Sequence, residues 1–204
     1  QLRPRLLRML GEYGADAKAR QAARAIAARF LANPGSVDVD LAREALRVSA
    51  MHDDGGLYDD YIAAYRKAGT AAQRSAVLQS VYFDDPDIVR QHLDFLLTAE
   101  VAAGDALQSV SLYATTLADN SAVYAWLDEN LDALMAKIPD YYHPQLPQAF
   151  GGGCSEAGLE RLNRFFADRD GFAASLGRAN EAARACIAAS QRYRPALENF
   201  LARY

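Results

Sequence analysis

The chain has no run of about eighteen apolar residues, which removes a helix able to cross a bilayer. It is also poor in the residues from which enzymes build metal sites. Its three histidines, His52, His92 and His143, stand far apart, and none has a second His, Cys or Glu at a spacing such as His-Glu-x-x-His. Ser155 follows Cys154 without a Gly-x-Ser-x-Gly frame, so a serine nucleophile elbow is missing. Gly151-Gly152-Gly153 follows no strand and lacks the Gly-Lys-Ser/Thr ending of a phosphate cradle. No pair of alternating runs is joined by a hairpin signal. The residues present thus offer no catalytic constellation and no metal site, and an α-helical enzyme in its own right would need one.

What is present is helical periodicity. Val89, Leu93, Leu96 and Leu97 fall at i, i+4, i+7 and i+8, the spacing that lines one helix face. The same signature returns in Val123, Leu127, Leu131, Leu134 and Ile138, then in Leu159, Leu162, Phe165 and Phe166. It returns again in Leu176, Ala179, Ala183, Cys186 and Ile187. Each set predicts one buried stripe.

The breaks between stripes are short. Asp84-Asp85-Pro86 supplies a capping carboxylate with proline near the first helical position, Asn120-Ser121 precedes a helix that ends at Ile138-Pro139, and Ser155 is placed to cap a helix after the glycine run. The acid pairs Asp53-Asp54, Asp59-Asp60 and Asp84-Asp85 are read as caps and dipole partners, because no calcium-loop spacing with a closing glutamate accompanies them. The chain is therefore expected to be all-α, with about ten helices.

At 204 residues and 51% hydrophobic content the chain can bury a large core, as one domain or with an internal seam at Gly55-Gly56. Its abundant alanine favours helix formation and close helix packing. Leu2, Leu6, Leu7 and Leu10 form a stripe that begins at once, with neither methionine nor cap before it. This reads as a fragment of something longer.

The net charge of -4 hides an uneven distribution: residues 1–30 hold seven Arg or Lys against Glu12 and Asp16, whereas residues 51–140 hold fifteen Asp or Glu against five Arg or Lys. The acidic middle repels nucleic acid, and the basic N-terminal residues lack the aromatic interleaving of a nucleic-acid surface. No nucleic-acid partner is expected. The acidic middle fits either an ordinary solvated surface or the lining of a cavity for cationic ligands.

Two cysteines remain. If 155–168 and 174–192 form an antiparallel hairpin, Cys154 and Cys186 lie equidistant from residue 170, in the connection, and can face each other. A disulfide would mean an oxidising compartment, periplasmic or exported. Reduced thiols buried as small core residues would suit the cytoplasm equally well.

Several segments carry a family likeness. Tyr58 to Tyr65 is a tyrosine-rich helix start; Val81-Tyr82-Phe83-Asp84-Asp85-Pro86 is an aromatic turn ending in Asp-Pro; Leu93 to Leu97 closes a helix in Leu-Leu. Ala125, Trp126, Asn130 and Leu131 follow, then Phe150 to Cys154, Phe165-Phe166 and Glu181, while Leu2 to Asn33 gives a helix leading into an alanine-rich one that ends in Phe. In this order the stretch Leu57 to Leu201, with that leading segment, resembles the C-terminal helical domain of aminopeptidase N-type zinc metallopeptidases, often called endoplasmic-reticulum aminopeptidase-like. Leu131 stands where a tryptophan often follows the asparagine, and Ala188-Ala189 where another is common. Both are packing positions.

The resemblance implies a single helical-repeat domain over residues 1–204, a curved superhelix of antiparallel helix pairs of HEAT or armadillo type. It implies a hydrolase as parent, whose zinc sits in a separate catalytic domain on a His-Glu-x-x-His motif and a downstream glutamate, none of which occurs here. This chain would take no cofactor; its partners would be the catalytic domain of the same polypeptide and the peptide substrate. It would cap the chamber, limiting access to peptides, with Tyr82, Phe83 and Phe150 facing the distal part of the substrate. The alternative is a free-standing helical-repeat module that binds a protein partner and begins with a capped helix.

Overall fold

The computed structural model describes residues 2–203 except 54, 84, 118 and 152. Asp84 of the expected Asp-Asp-Pro cap, Asp54 of the first acid pair and Gly152 of the glycine run lie outside the described residues. The all-α expectation holds: eleven α-helices and no strand appear among the described residues. They divide into two compact units, Gln1–Leu96 and Leu97–Tyr204. Gly55 lies within the first unit, in the connection between the helices Val39–Ala50 and Tyr58–Lys67.

In the first unit, α1 (Leu2–Arg8) runs into a π-turn (Met9–Tyr13), followed by α2 (Ala17–Ala32), α3 (Val39–Ala50), α4 (Tyr58–Lys67), α5 (Ala71–Leu78) and α6 (Pro86–Leu97). Local chemistry sets the boundaries. Asp16 accepts from Ala19 N at 2.7 Å, Asp38 from Leu41 N at 3.1 Å, and Asp85 from Asp87 N at 2.8 Å, each satisfying a backbone donor that has no partner within its helix. Thr70 and Gln73 form a reciprocal capping box on α5.

Helix α2 packs on α3, α1 lies against α3, and α5 touches both α3 and α4. Ala23, Ala27, Ala42 and Ala45 are buried and let the α2 and α3 backbones approach closely. Gly11 lets the π-turn come equally close to α3, since a Cβ there would meet Val48 Cγ1 at 2.7 Å. Phe30, Leu46, Tyr61, Leu78, Phe83 and Leu93 fill the space between these helices.

The second unit holds α7 (Ala103–Thr116), α8 (Ser121–Lys137), a 3-10 turn (Asp140–Gln145), α9 (Leu146–Ala149), α10 (Glu156–Phe166) and α11 (Ala173–Leu201). Every member of the stripe from Val123 to Ile138 is buried, with Trp126, Leu127 and Leu134 fully covered. Ser155 caps α10 as expected, accepting from Gly158 N at 3.1 Å. Ahead of α8 the cap is Asp119, which takes Ser121 N at 2.9 Å; the Asn120 side chain instead donates to the Ala114 carbonyl. Leu159 packs on Ala183 and Ile187, joining α10 to α11. The amides of Asn163 and Asn180 exchange hydrogen bonds at 3.0 and 2.7 Å along the same seam. The last helix runs to Leu201, well past the expected end near residue 192.

Candidate functional site

Each histidine is engaged apart from the others. His92 is fully buried on α6, its ring edge-on to Tyr58 at 5.9 Å, and burial pushes its pKa down to about 3. His143 Nε2 lies 2.8 Å from the Met135 carbonyl and His52 Nε2 lies 3.3 Å from the Gly11 carbonyl. No group of three His, Cys, Asp or Glu suited to a metal ion occurs among the described residues.

The three aromatics expected to face substrate lie beneath the surface: Tyr82 is 5% exposed, Phe83 and Phe150 0%. Phe83 receives the ring edges of Tyr58 and Tyr61 at 6.1 and 5.5 Å. Tyr82 lies under the Arg47 guanidinium, 3.7 Å from its ring centre. In the second unit Phe150 stacks on Phe166 at 6.4 Å, and its carbonyl accepts from Tyr124 Oη at 3.1 Å. Burial lifts Tyr124 to about 12. Within their own units these rings close the core at helix ends.

The open surfaces lie elsewhere. A cleft of about 810 Å³ in the second unit separates the start of α7 from the 3-10 turn and α9. Asp105, Gln108 and Ser111 line one wall; Tyr142, Gln145 and Gln148 line the other, all six at three-residue spacing on their segments. Ser111 Oγ donates to the Ala149 carbonyl and ties the walls together. Gln145 donates to the Tyr141 carbonyl at 3.1 Å, and Gln148 Oε1 lies 3.5 Å from Ser175 Oγ. The lining is rich in neutral amides, carries one acid and includes no cation. Such a surface can exchange hydrogen bonds with peptide groups.

In the first unit a cleft of about 470 Å³ between α2 and α4 is lined by the buried Ala27 and half-buried Ala63, with the exposed Arg24, Asp60 and Lys67 around them. Neither cleft has a signature in the sequence. Their residues lie up to about forty positions apart, and no local spacing ties Gln108 to Gln145.

Cys154 and Cys186 stand at disulfide distance, their Cα atoms 5.3 Å apart. Both are exposed, not small core residues, which corrects the buried-thiol alternative and the placing of Cys186 in the buried stripe. Cys186 sits on the flank of α11 that turns toward the loop before α10, beside the buried Ala183 and Ile187.

A family model described as an ERAP1-like C-terminal domain matches residues 1–188. No curated protein matches the chain.

Proposed function

The chain belongs to the ERAP1-like C-terminal domain family, and from that premise we propose that it is the non-catalytic helical cap of a zinc aminopeptidase, enclosing the chamber and limiting entry to peptides. The match over residues 1–188 carries this reading. Zinc and the hydrolytic step belong to the parent's catalytic domain. This chain supplies walls.

Two surfaces suit the role. The exposed apolar residues of the first helical turns, Leu2, Leu6, Met9 and Leu10, between 46 and 70% exposed, form a face for docking on the rest of the polypeptide. The amide-lined cleft at Gln108, Gln145 and Gln148 suits the distal backbone of a bound peptide. The turns over Tyr82 and Phe83 in one unit and over Phe150 in the other would border the chamber, with the buried rings setting their shape from below. The cysteine pair would form a disulfide, which suits an exported parent.

The test is a length series on the parent enzyme. Replacing Gln108, Gln145 and Gln148 together by alanine is expected to lower kcat/KM for long peptides while leaving an aminoacyl chromogenic substrate unaffected. Unchanged length preference in that variant, and in Tyr82→Ala with Phe83→Ala, would remove the substrate-contact role.

A further inference from the structure

Ser49, near the end of α3, is 2% exposed, yet its hydroxyl has no hydrogen-bond partner among the described residues. A helical serine can return that bond to the carbonyl four residues back, and a buried hydroxyl left without one costs stability. Ser49 also lines two clefts of the first unit: the one of about 470 Å³ between α2 and α4, and another of about 380 Å³ that has His52 and Asp53 in its wall. Arg24 and Leu57 line both as well, so the two make one crevice with a polar end and an apolar end.

The polar end holds one unmet charge. Asp53 Oδ2 already accepts from Gly55 N at 2.9 Å and from Leu57 N at 3.0 Å, and His52 Nε2 meets the Gly11 carbonyl at 3.3 Å. The exposed Arg24 side chain has no hydrogen bond or ion pair among the described residues. Beyond it the walls turn apolar: buried Ala27 and half-buried Leu31 follow on α2, with half-buried Ala63 on α4. From Arg24 to Leu31 the helix rises about 10 Å, close to the reach of roughly eight to ten carbons. We infer that this crevice binds a medium-chain aliphatic carboxylate, whose head accepts hydrogen bonds from Ser49 Oγ and the Arg24 guanidinium and whose tail lies along Ala27, Leu31 and Ala63.

Three features select that class. A hydroxyl and a guanidinium that both lack partners call for an acceptor with negative charge. Asp53 at that end and Asp60 on the rim keep the local charge near neutral, which favours a singly charged carboxylate over a doubly charged phosphate. Along Ala27, Leu31 and Ala63 the side chains offer no polar group, so what lies there is hydrocarbon. The size of the crevice is within the roughly 300–1,000 Å³ of small-molecule sites.

An NMR amide-shift titration of the full 204-residue chain with decanoate tests this. Saturable binding with a Kd of about 0.1 mM is expected, the largest shifts falling on residues 24–31, 49–53 and 57–67. Octanoate, and then hexanoate, should each bind about fourfold more weakly than the acid two carbons longer, because an open crevice covers roughly half of each methylene. Arg24→Gln and Ser49→Ala should each weaken binding about tenfold. Ser49→Ala should also raise the melting temperature of the ligand-free chain, since it removes a buried hydroxyl that has no partner. Ala63→Leu should block the tail and abolish binding, with the helical circular dichroism retained. Absence of saturable binding up to about 1 mM would overturn the inference. So would decanol or decylammonium binding as tightly as decanoate, an affinity untouched by Ser49→Ala, or a melting temperature lowered by it, which would show the hydroxyl bonded within the fold. Largest shifts at Leu2, Leu6 and Leu10 would overturn it too, by placing the acid on another apolar surface.

Discussion

Arg47 holds Glu12 with both arms of its fork, Nε to Oε2 at 2.9 Å and Nη2 to Oε1 at 3.0 Å, thirty-five residues apart in sequence. Arg8 Nε reaches the same Oε2 at 3.0 Å. Burial raises the Glu12 pKa, but hydrogen bonds and charge attraction from Arg47 and Arg8 outweigh it and leave the carboxyl below its ordinary value. The same Arg47 covers Tyr82, so one guanidinium ties the π-turn, α3 and the aromatic turn before α6.

Removing Glu12 leaves Arg47 without its carboxylate, and removing Arg47 leaves Glu12 with Arg8 alone, in a site where the Glu12 and Arg47 side chains are only 7 and 12% exposed. Glu12→Ala and Arg47→Ala should each cost about 2–4 kcal/mol, read from urea unfolding. The double variant should cost less than the sum of the two. Because the native carboxyl holds its charge below the unfolded value, this contribution is full above about pH 4.5 and falls away as acid protonates it.

His92 acts on the other side of neutrality. Buried and with its pKa pushed down to about 3, it stays uncharged in the native chain while the unfolded chain takes up a proton near pH 6.5. Stability from this residue is complete above that value and declines as pH falls toward 3, the loss being about 2 kcal/mol by pH 5. His92→Leu should flatten the stability curve between pH 7 and 5. An unchanged slope would show that other groups govern it.

A bond between Cys154 and Cys186, which stand at disulfide distance, would close a loop of 32 residues in sequence separation. Loop-closure entropy makes a disulfide there worth about 3–4 kcal/mol, so reduction, or Cys154→Ser with Cys186→Ser, should lower the melting temperature of the second unit. Thiol titration of the denatured, unreduced chain is expected to find none. Two free thiols would end the disulfide proposal.

Trp126, the single tryptophan, is fully covered by the core of the second unit. Trp126→Ala should cost about 3–5 kcal/mol and reduce amide-exchange protection along α8 and α10. Near-native protection would mean that the ring carries little of the packing.

The helices were legible because periodicity is a local property. The stripe from Val123 to Ile138 could be read residue by residue, and every one of its members is buried. Caps were legible for the same reason at Ser155, less so at Asp119, where two adjacent polar residues competed for one role. Burial of an aromatic turn is not local. Tyr82, Phe83 and Phe150 look alike in sequence whether they meet a ligand or the helix behind them, and only the positions of Arg47, Tyr61 and Phe166 decide. The amide cleft needs the same long-range information, because α7 and α9 are separated by the whole of α8. The length of α11 was not legible because residues 188–200 are exposed, so no buried stripe marks them.

The central claim is that this chain walls a chamber whose chemistry lies in other residues of its parent. Turnover of an aminoacyl chromogenic substrate by the purified chain with added zinc tests it most directly. The account predicts a rate equal to the protein-free blank. Hydrolysis that rises in proportion to chain concentration and persists through repurification would contradict it.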